Sequence, residues 1–130
     1  MSRRAGFLLG LMMVCLVCIS SAAAALAADG VISKGEYEHA EIFDNGNYQL
    51  FWTILDDRIY VGLQGKTTGW VGIGLKPTQM MKDADIILAG IADEEVYWVD
   101  SFSTGNFGPH PADTELGGTD DIVNLSVTEE

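Results

Sequence analysis

Apolar positions after residue 28 alternate with polar ones or form short blocks bounded by Gly, Asp, Asn and Pro. Alternation with a period of two places successive side chains on opposite faces of an extended chain, and no stripe of helical period accompanies it. The predicted strands cover residues 48–55, 58–64, 70–75, 84–91, 96–100 and 122–128. Short strands joined by tight turns predict an all-β fold, an immunoglobulin-like antiparallel β-sandwich.

The connections between these strands are of two kinds. Asp56-Asp57 and Asp93-Glu94 are expected to form two-residue hairpin turns. Residues 101–121 are rich in Gly, Pro, Thr and Asp and predict one long surface loop, which is unusual in a compact domain unless it is functional. The predicted domain covers residues 28–130, and its final strand has no partner, so we expect the last strands of the sandwich to follow Glu130.

The N-terminal stretch has the pattern of a secretory signal. Arg3 and Arg4 precede a run without charge, and the small-x-small site 25–27 predicts cleavage after Ala27. Residues 1–27 are therefore expected to be removed, and the domain to be exported to a periplasmic or extracellular location. An uncleaved membrane anchor is the alternative, because the uncharged run is long enough to cross a bilayer. Both cysteines, Cys15 and Cys18, lie in this stretch, which excludes disulfide and thiolate sites from the mature domain.

The strongly negative net charge of the chain limits which macromolecules it is expected to bind. The formal net charge is −12, and cleavage would remove two arginines but no acidic residue. So acidic a domain is not expected to bind nucleic acid or anionic lipid. Membrane contact is expected only if the signal stays uncleaved or a following segment crosses the bilayer. No Ser-His-Asp pattern and no zinc-protease motif is present, so the chain is not expected to be an enzyme.

Glycines alternate along the third predicted strand. Gly72 and Gly74 leave one face of residues 70–75 without side chains, so a bulky group can approach the backbone there. That group is either a ligand or an aromatic side chain from a neighbouring strand.

Four segments, taken in order, resemble the DOMON domain family. Residues 29–32 are similar to the family's entry segment, and residues 69–74 to its W-x-G-x-G strand. Residues 81–86 are similar to its M-x-G-A-D-I motif, with Asp83 where Gly is common, and residues 117–122 to the loop that follows. The resemblance covers nearly all of the mature chain and implies a β-sandwich that binds a ligand.

The resemblance also implies a cofactor. Haem-binding DOMON domains hold b-type haem iron between a Met, at the position of Met81, and a His or Lys near the C-terminal end. A thioether ligand raises the reduction potential, which suits electron transfer with a redox partner protein or domain. The histidines, His39 and His110, lie away from the family's second ligand position. The expected cofactor-binding residues are Met81, Trp70, Gly72, Gly74 and Ile86, with Met81 on the iron.

Other interpretations stay open beside haem. Met80 competes with Met81, since adjacent side chains of a strand point to opposite faces. A carbohydrate or other small molecule is the alternative ligand, and an exposed Trp98 could stack on a sugar ring. Acidic side chains could hold calcium, although turn capping is their commoner role. These acidic residues are Asp83, Asp85, Asp113, Asp120 and Asp121.

Overall fold

The structure, a computed structural model, describes residues 26–129. Most of the predicted signal peptide, including Cys15 and Cys18, lies outside these residues. The strands are β1 His39–Phe43, β2 Tyr48–Leu55, β3 Arg58–Gly65, β4 Trp70–Leu75, β5 Asp85–Ala92 and β6 Glu95–Phe102. Two 3₁₀ helices, Asp44–Gly46 and Asp113–Leu116, complete the secondary structure of this part of the chain. None of its helices is long and apolar enough to cross a membrane.

The strands form two antiparallel sheets with the orders β1-β2-β3 and β4-β5-β6. The predicted all-β sandwich class is therefore confirmed. In the first sheet Leu50 lies opposite Leu63, and Trp52 lies opposite Val61. Because directly paired residues share a face, the alternation in β2 and β3 builds one apolar face across both strands.

Both predicted hairpin turns are present. Leu55 pairs with Arg58 across the first turn, where Asp56 has a φ of 55°. In the second turn Asp93 and Glu94 have φ values of 52° and 66°. Positive φ at these positions gives a turn whose twist matches that of the flanking strands, and Asp tolerates it better than most residues.

The two sheets meet where β2 and β3 approach β4. The Tyr48 hydroxyl donates a hydrogen bond to the Gly72 carbonyl at 2.9 Å, and burial raises the pKa of this phenol. A Cβ placed on Gly65 would lie 2.7 Å from Cγ1 of Val71, so the absence of a side chain allows this approach. Tyr48 thus ties the first sheet to the glycine-containing strand of the second.

The most tightly packed region lies at the end of the β4–β5 hairpin. Ala84 is 2% exposed and is the one apolar residue in the buried class within residues 26–129. Ser101 and Ser103 are buried beside it, and the Ser103 N–H donates to the Ala84 carbonyl at 2.9 Å. Most other apolar strand residues are half-buried. The packing around Ala84 and Ser103 positions the β4–β5 connection, in which Met81 lies.

The structure corrects three predictions. A strand was not expected at His39–Phe43, where every residue is exposed; it forms because its backbone pairs with β2. Residues 122–128 are not a strand, although they alternate. Their Ile122 N–H bonds to the Asp120 carboxylate at 3.1 Å instead of to a neighbouring strand. The predicted loop 101–121 begins inside β6 and contains the second 3₁₀ helix.

Candidate functional site

Met81 lies in the connection between β4 and β5, outside both strands. Its N–H donates to the Asn106 carbonyl at 3.3 Å, and its carbonyl accepts the Ala84 N–H at 3.1 Å. The residue is 41% exposed. Met80 is also exposed and has a φ of 54°, so the two methionines do not alternate as strand neighbours would. The backbone of Met81 is thus held from both sides while its side chain remains accessible.

The other four predicted cofactor-binding residues share one face of the second sheet. Gly74 pairs with Ile86, and Trp70 pairs with Gly90 at the opposite end of β4. Four strand residues span about 13 Å, so Trp70 lies far from the end of the hairpin that leads to Met81. A Cβ on Gly72 would lie 3.5 Å from the Trp70 ring, and one on Gly74 would lie 3.4 Å from Ala84. The Trp70 ring thus lies close to Gly72, whereas Gly74 remains exposed.

The two histidines lie in different parts of the described chain. His39, in β1, stacks on Trp52 with ring centroids 5.1 Å apart. His110 lies in the loop after β6, where its imidazole is close to Gly108. The structure thus assigns His39 a packing role in the first sheet, away from the β4–β5 connection.

Three carboxylates converge beside β5 and β6. Asp85 begins β5, Asp100 lies in β6 and Asp113 opens the second 3₁₀ helix. One oxygen from each lies within 4.8 Å of the others. Partial burial, then the charges of Asp100 and Asp113, raise the pKa of Asp85 above its usual value. Burial and the charge of Asp100 also raise the pKa of Asp113.

These three residues form the acidic cluster, and one of its oxygens lacks a partner. The Oδ1 atom of Asp113 is buried and accepts no hydrogen bond from the described residues. Asp100 accepts the N–H of Asp121 through Oδ2 at 2.9 Å. Carboxylate oxygens are ligands that hard cations prefer, and they also accept hydrogen bonds from hydroxyl groups. The cluster can therefore take either a cation or a hydroxylated molecule.

Sequence reasoning found part of this cluster. The sequence indicates Asp85 and Asp113 as possible ligands but not Asp100, which falls within a predicted strand. Asp83 instead accepts a hydrogen bond from the Thr78 hydroxyl. Asp120 accepts the Ile122 N–H. The Asp120 bond to the backbone two residues on is the expected turn-capping role, whereas the Asp83 bond joins two side chains.

A cleft of about 290 Å³ lies beside the acidic cluster, and Trp98, Asp100, Asp113 and Asp120 line it. Trp98 is 49% exposed. The preceding Tyr97 is half-buried, and its hydroxyl lies over Gly90. Of these two neighbouring aromatic residues, Trp98 is therefore the one that faces solvent. An aromatic ring and several carboxylates thus meet at one surface cleft.

Comparisons with known proteins agree with this architecture. The DOMON domain family matches residues 44–130. The human protein "DBH-like monooxygenase protein 1" is 38% identical over 71 residues, which is 54% of this chain and 12% of that protein. Its mouse counterpart is 35% identical over 85 residues, or 64% of this chain and 14% of that protein. The Drosophila melanogaster protein "MOXD1 homolog 2" is 30% identical over 75 residues, or 58% of this chain and 10% of that protein.

The chain thus spans only a small part of the length of these relatives. No solved structure matches it. The family match covers most of the chain and includes strands β2 to β6. Together with β1 these strands form two antiparallel sheets, as expected for a β-sandwich. On these grounds the chain belongs to the DOMON domain family, a family of ligand-binding domains.

Proposed function

We propose that this DOMON domain binds a small polyhydroxylated ligand, of the carbohydrate class, in the cleft beside Trp98. The observation that carries the proposal is the convergence of an exposed indole with the carboxylates of Asp100 and Asp113. A volume of about 290 Å³ is close to the lower limit of small-molecule pockets and suits a ligand of one sugar ring.

The two kinds of side chain have complementary roles. The indole of Trp98 offers a flat apolar surface to the C–H face of a sugar ring. Carboxylate oxygens accept hydrogen bonds from its hydroxyl groups, and charge makes such bonds stronger than neutral ones. The Oδ1 atom of Asp113 is buried without a partner, so a ligand hydroxyl there would relieve an unfavourable desolvation.

The relatives suggest the context in which this binding occurs. They are named as monooxygenases, and this chain corresponds to 12% and 14% of the human and mouse proteins. We therefore infer that the domain binds a ligand without catalysing a reaction itself. The signal-like N-terminus supports an exported protein, and the acidic charge favours cationic protein partners over nucleic acid.

Substituting Trp98 with alanine tests the carbohydrate proposal. Trp98→Ala should weaken binding of the sugar that a glycan array selects by about five-fold or more, since a stacked aromatic contributes about 1 kcal/mol beyond its buried area. Trp70→Ala is the matched control, because Trp70 is 58% exposed, against 49% for Trp98, but lies outside the cleft.

Isothermal titration would give the affinities, first in EDTA and then in calcium. Binding that needs calcium would mean that the acidic cluster holds the sugar through a cation. Equal weakening by the two tryptophan variants, or no sugar bound by the wild type, would reject the cleft as a carbohydrate site.

A b-type haem is the second candidate ligand, and Met81 supports it. The backbone of Met81 is held by two hydrogen bonds and its thioether is accessible, as an axial ligand requires. Bound haem would supply one-electron chemistry with a redox partner. Support rests on Met81 alone, since Trp70 lies at the opposite end of β4 from the connection that carries Met81.

Absorbance spectra of the oxidised and reduced protein distinguish the haem candidate. If haem binds through Met81, the Met81→Ala variant should lose the sharp reduced bands of low-spin haem. Met80→Ala is the control, because this neighbouring methionine is just as accessible. A folded wild-type protein without a haem band, even after haem is added, would exclude haem, and equal spectra of the two variants would exclude Met81 as its axial ligand.

A further inference from the structure

Asn124 stands in the triplet Asn124-Leu125-Ser126, which has the pattern of an N-glycosylation acceptor. The pattern requires Ser or Thr two residues after Asn and excludes Pro between them. The other three asparagines, Asn45, Asn47 and Asn106, have Asn, Gln and Gly at that position. The chain therefore contains a single such site, which neither binding proposal uses.

The structure leaves this asparagine accessible. Asn124 is exposed in a segment outside every strand, and its side chain makes no hydrogen bond to any of residues 26–129. The segment is held at both ends: the Asp121 N–H donates to the Asp100 carboxylate of β6 at 2.9 Å, and the Thr128 hydroxyl donates to the Gly30 carbonyl at 2.8 Å. The amide is thus presented to solvent on an anchored stretch of chain.

A groove of about 400 Å³ adjoins the same asparagine. Asn124 lines it together with Val96 and Trp98 of β6. Val96, Trp98 and Val123 are exposed apolar residues here. β6 is the last strand of its sheet. An edge strand flanked by exposed apolar side chains can pair with another chain, so a group that covers this edge would oppose aggregation.

We propose that Asn124 carries an N-linked glycan whose first sugar lies in this groove and covers Val96 and the part of Trp98 that lines the groove. The donor is an oligosaccharide linked to a lipid diphosphate, and a membrane transferase recognises the Ser126 hydroxyl. The amide nitrogen of Asn124 bonds to the anomeric carbon of the donor. The anomeric C–O bond breaks, the lipid diphosphate leaves with the electron pair, and the amide loses one proton to the transferase.

Mass spectrometry of the full chain, secreted from a host that attaches N-glycans, tests the attachment. The wild type should lose its glycan mass on treatment with peptide-N-glycosidase, and peptide mapping should show Asp at position 124. Asn124→Gln and Ser126→Ala should be secreted without a glycan, whereas Ser126→Thr and the control Asn47→Gln should keep it. A wild type of unmodified mass, or a glycan that persists in Asn124→Gln, would overturn the proposal.

Hydroxyl-radical footprinting tests the position of the glycan. Oxidation of Trp98 should be several-fold slower in the glycosylated wild type than in Asn124→Gln, while oxidation of Trp70 should be equal. Equal oxidation of Trp98 in both proteins would show that the groove is not covered. Both measurements are made without added sugar, because a ligand stacked on Trp98 in the cleft would also slow its oxidation. The glycan proposal therefore does not depend on whether the cleft binds a free sugar.

Discussion

Gly105→Ala is expected to lower the free energy of unfolding by about 2–3 kcal/mol, within the range of overpacked sites. A Cβ at this position would lie 2.5 Å from the Gly108 carbonyl oxygen. This oxygen is a backbone atom, so the clash can be relieved only if the loop itself opens. The Gly105 carbonyl also accepts the hydroxyl of the fully buried Ser103 at 2.8 Å, and loop opening would disturb that bond.

Urea denaturation of the two proteins gives the difference directly. Gly69→Ala is the matched control: its new Cβ would lie 3.6 Å from the nearest atom, an ordinary contact, so we expect a change within about 0.5 kcal/mol. Equal stability of Gly105→Ala and Gly69→Ala would show that the loop accommodates the methyl group.

Gly105→Ala is also expected to affect the backbone around Met81. The carbonyl of the adjacent Asn106 accepts the Met81 N–H. A displaced loop would therefore release one of the two backbone contacts that hold Met81. Faster hydrogen exchange at the Met81 amide in Gly105→Ala than in Gly69→Ala is the expected sign of this coupling.

Thr53→Val is expected to lower the free energy of unfolding by about 1–2 kcal/mol, the cost of a partly buried N–H donor left without its acceptor. Thr53 is 4% exposed, and its hydroxyl accepts the Glu38 N–H at 2.8 Å. Valine has nearly the same shape, so packing in β2 is retained while the acceptor is lost. Glu38 directly precedes β1, so the variant should also loosen that strand.

A matched control for Thr53→Val is Thr67→Val. The Thr67 hydroxyl accepts the Gly69 N–H at 3.1 Å, but this bond is exposed, so water can replace the lost acceptor. Urea denaturation should show a change within about 0.5 kcal/mol for the control. A similar loss of unfolding free energy in the two variants would mean that burial of the Thr53 hydrogen bond adds no stability. Unchanged hydrogen exchange of the β1 amides would show that this bond does not hold β1 in place.

Local sequence was sufficient for much of the fold. Five of the six strands were placed within a few residues, because alternation with a period of two and the acidic two-residue turns are signals within each hairpin. The two motifs at residues 69–74 and 81–86 were also sufficient to indicate the DOMON family from sequence alone. Those signals depend on neighbouring residues, so they can be read without knowing which strands meet.

Tertiary structure alone decided the features that depend on distant partners. His39–Phe43 became a strand through pairing with β2, whereas residues 122–128 alternate but have no strand ladder in the described structure. Asp85, Asp100 and Asp113 come from three elements and converge only when β5, β6 and the second 3₁₀ helix pack together. The sequence by itself determined where strands alternate and where hairpin turns form, because those preferences are local. Only the tertiary structure decided which strand edges pair and which carboxylates meet, because both require contacts between residues distant in the chain.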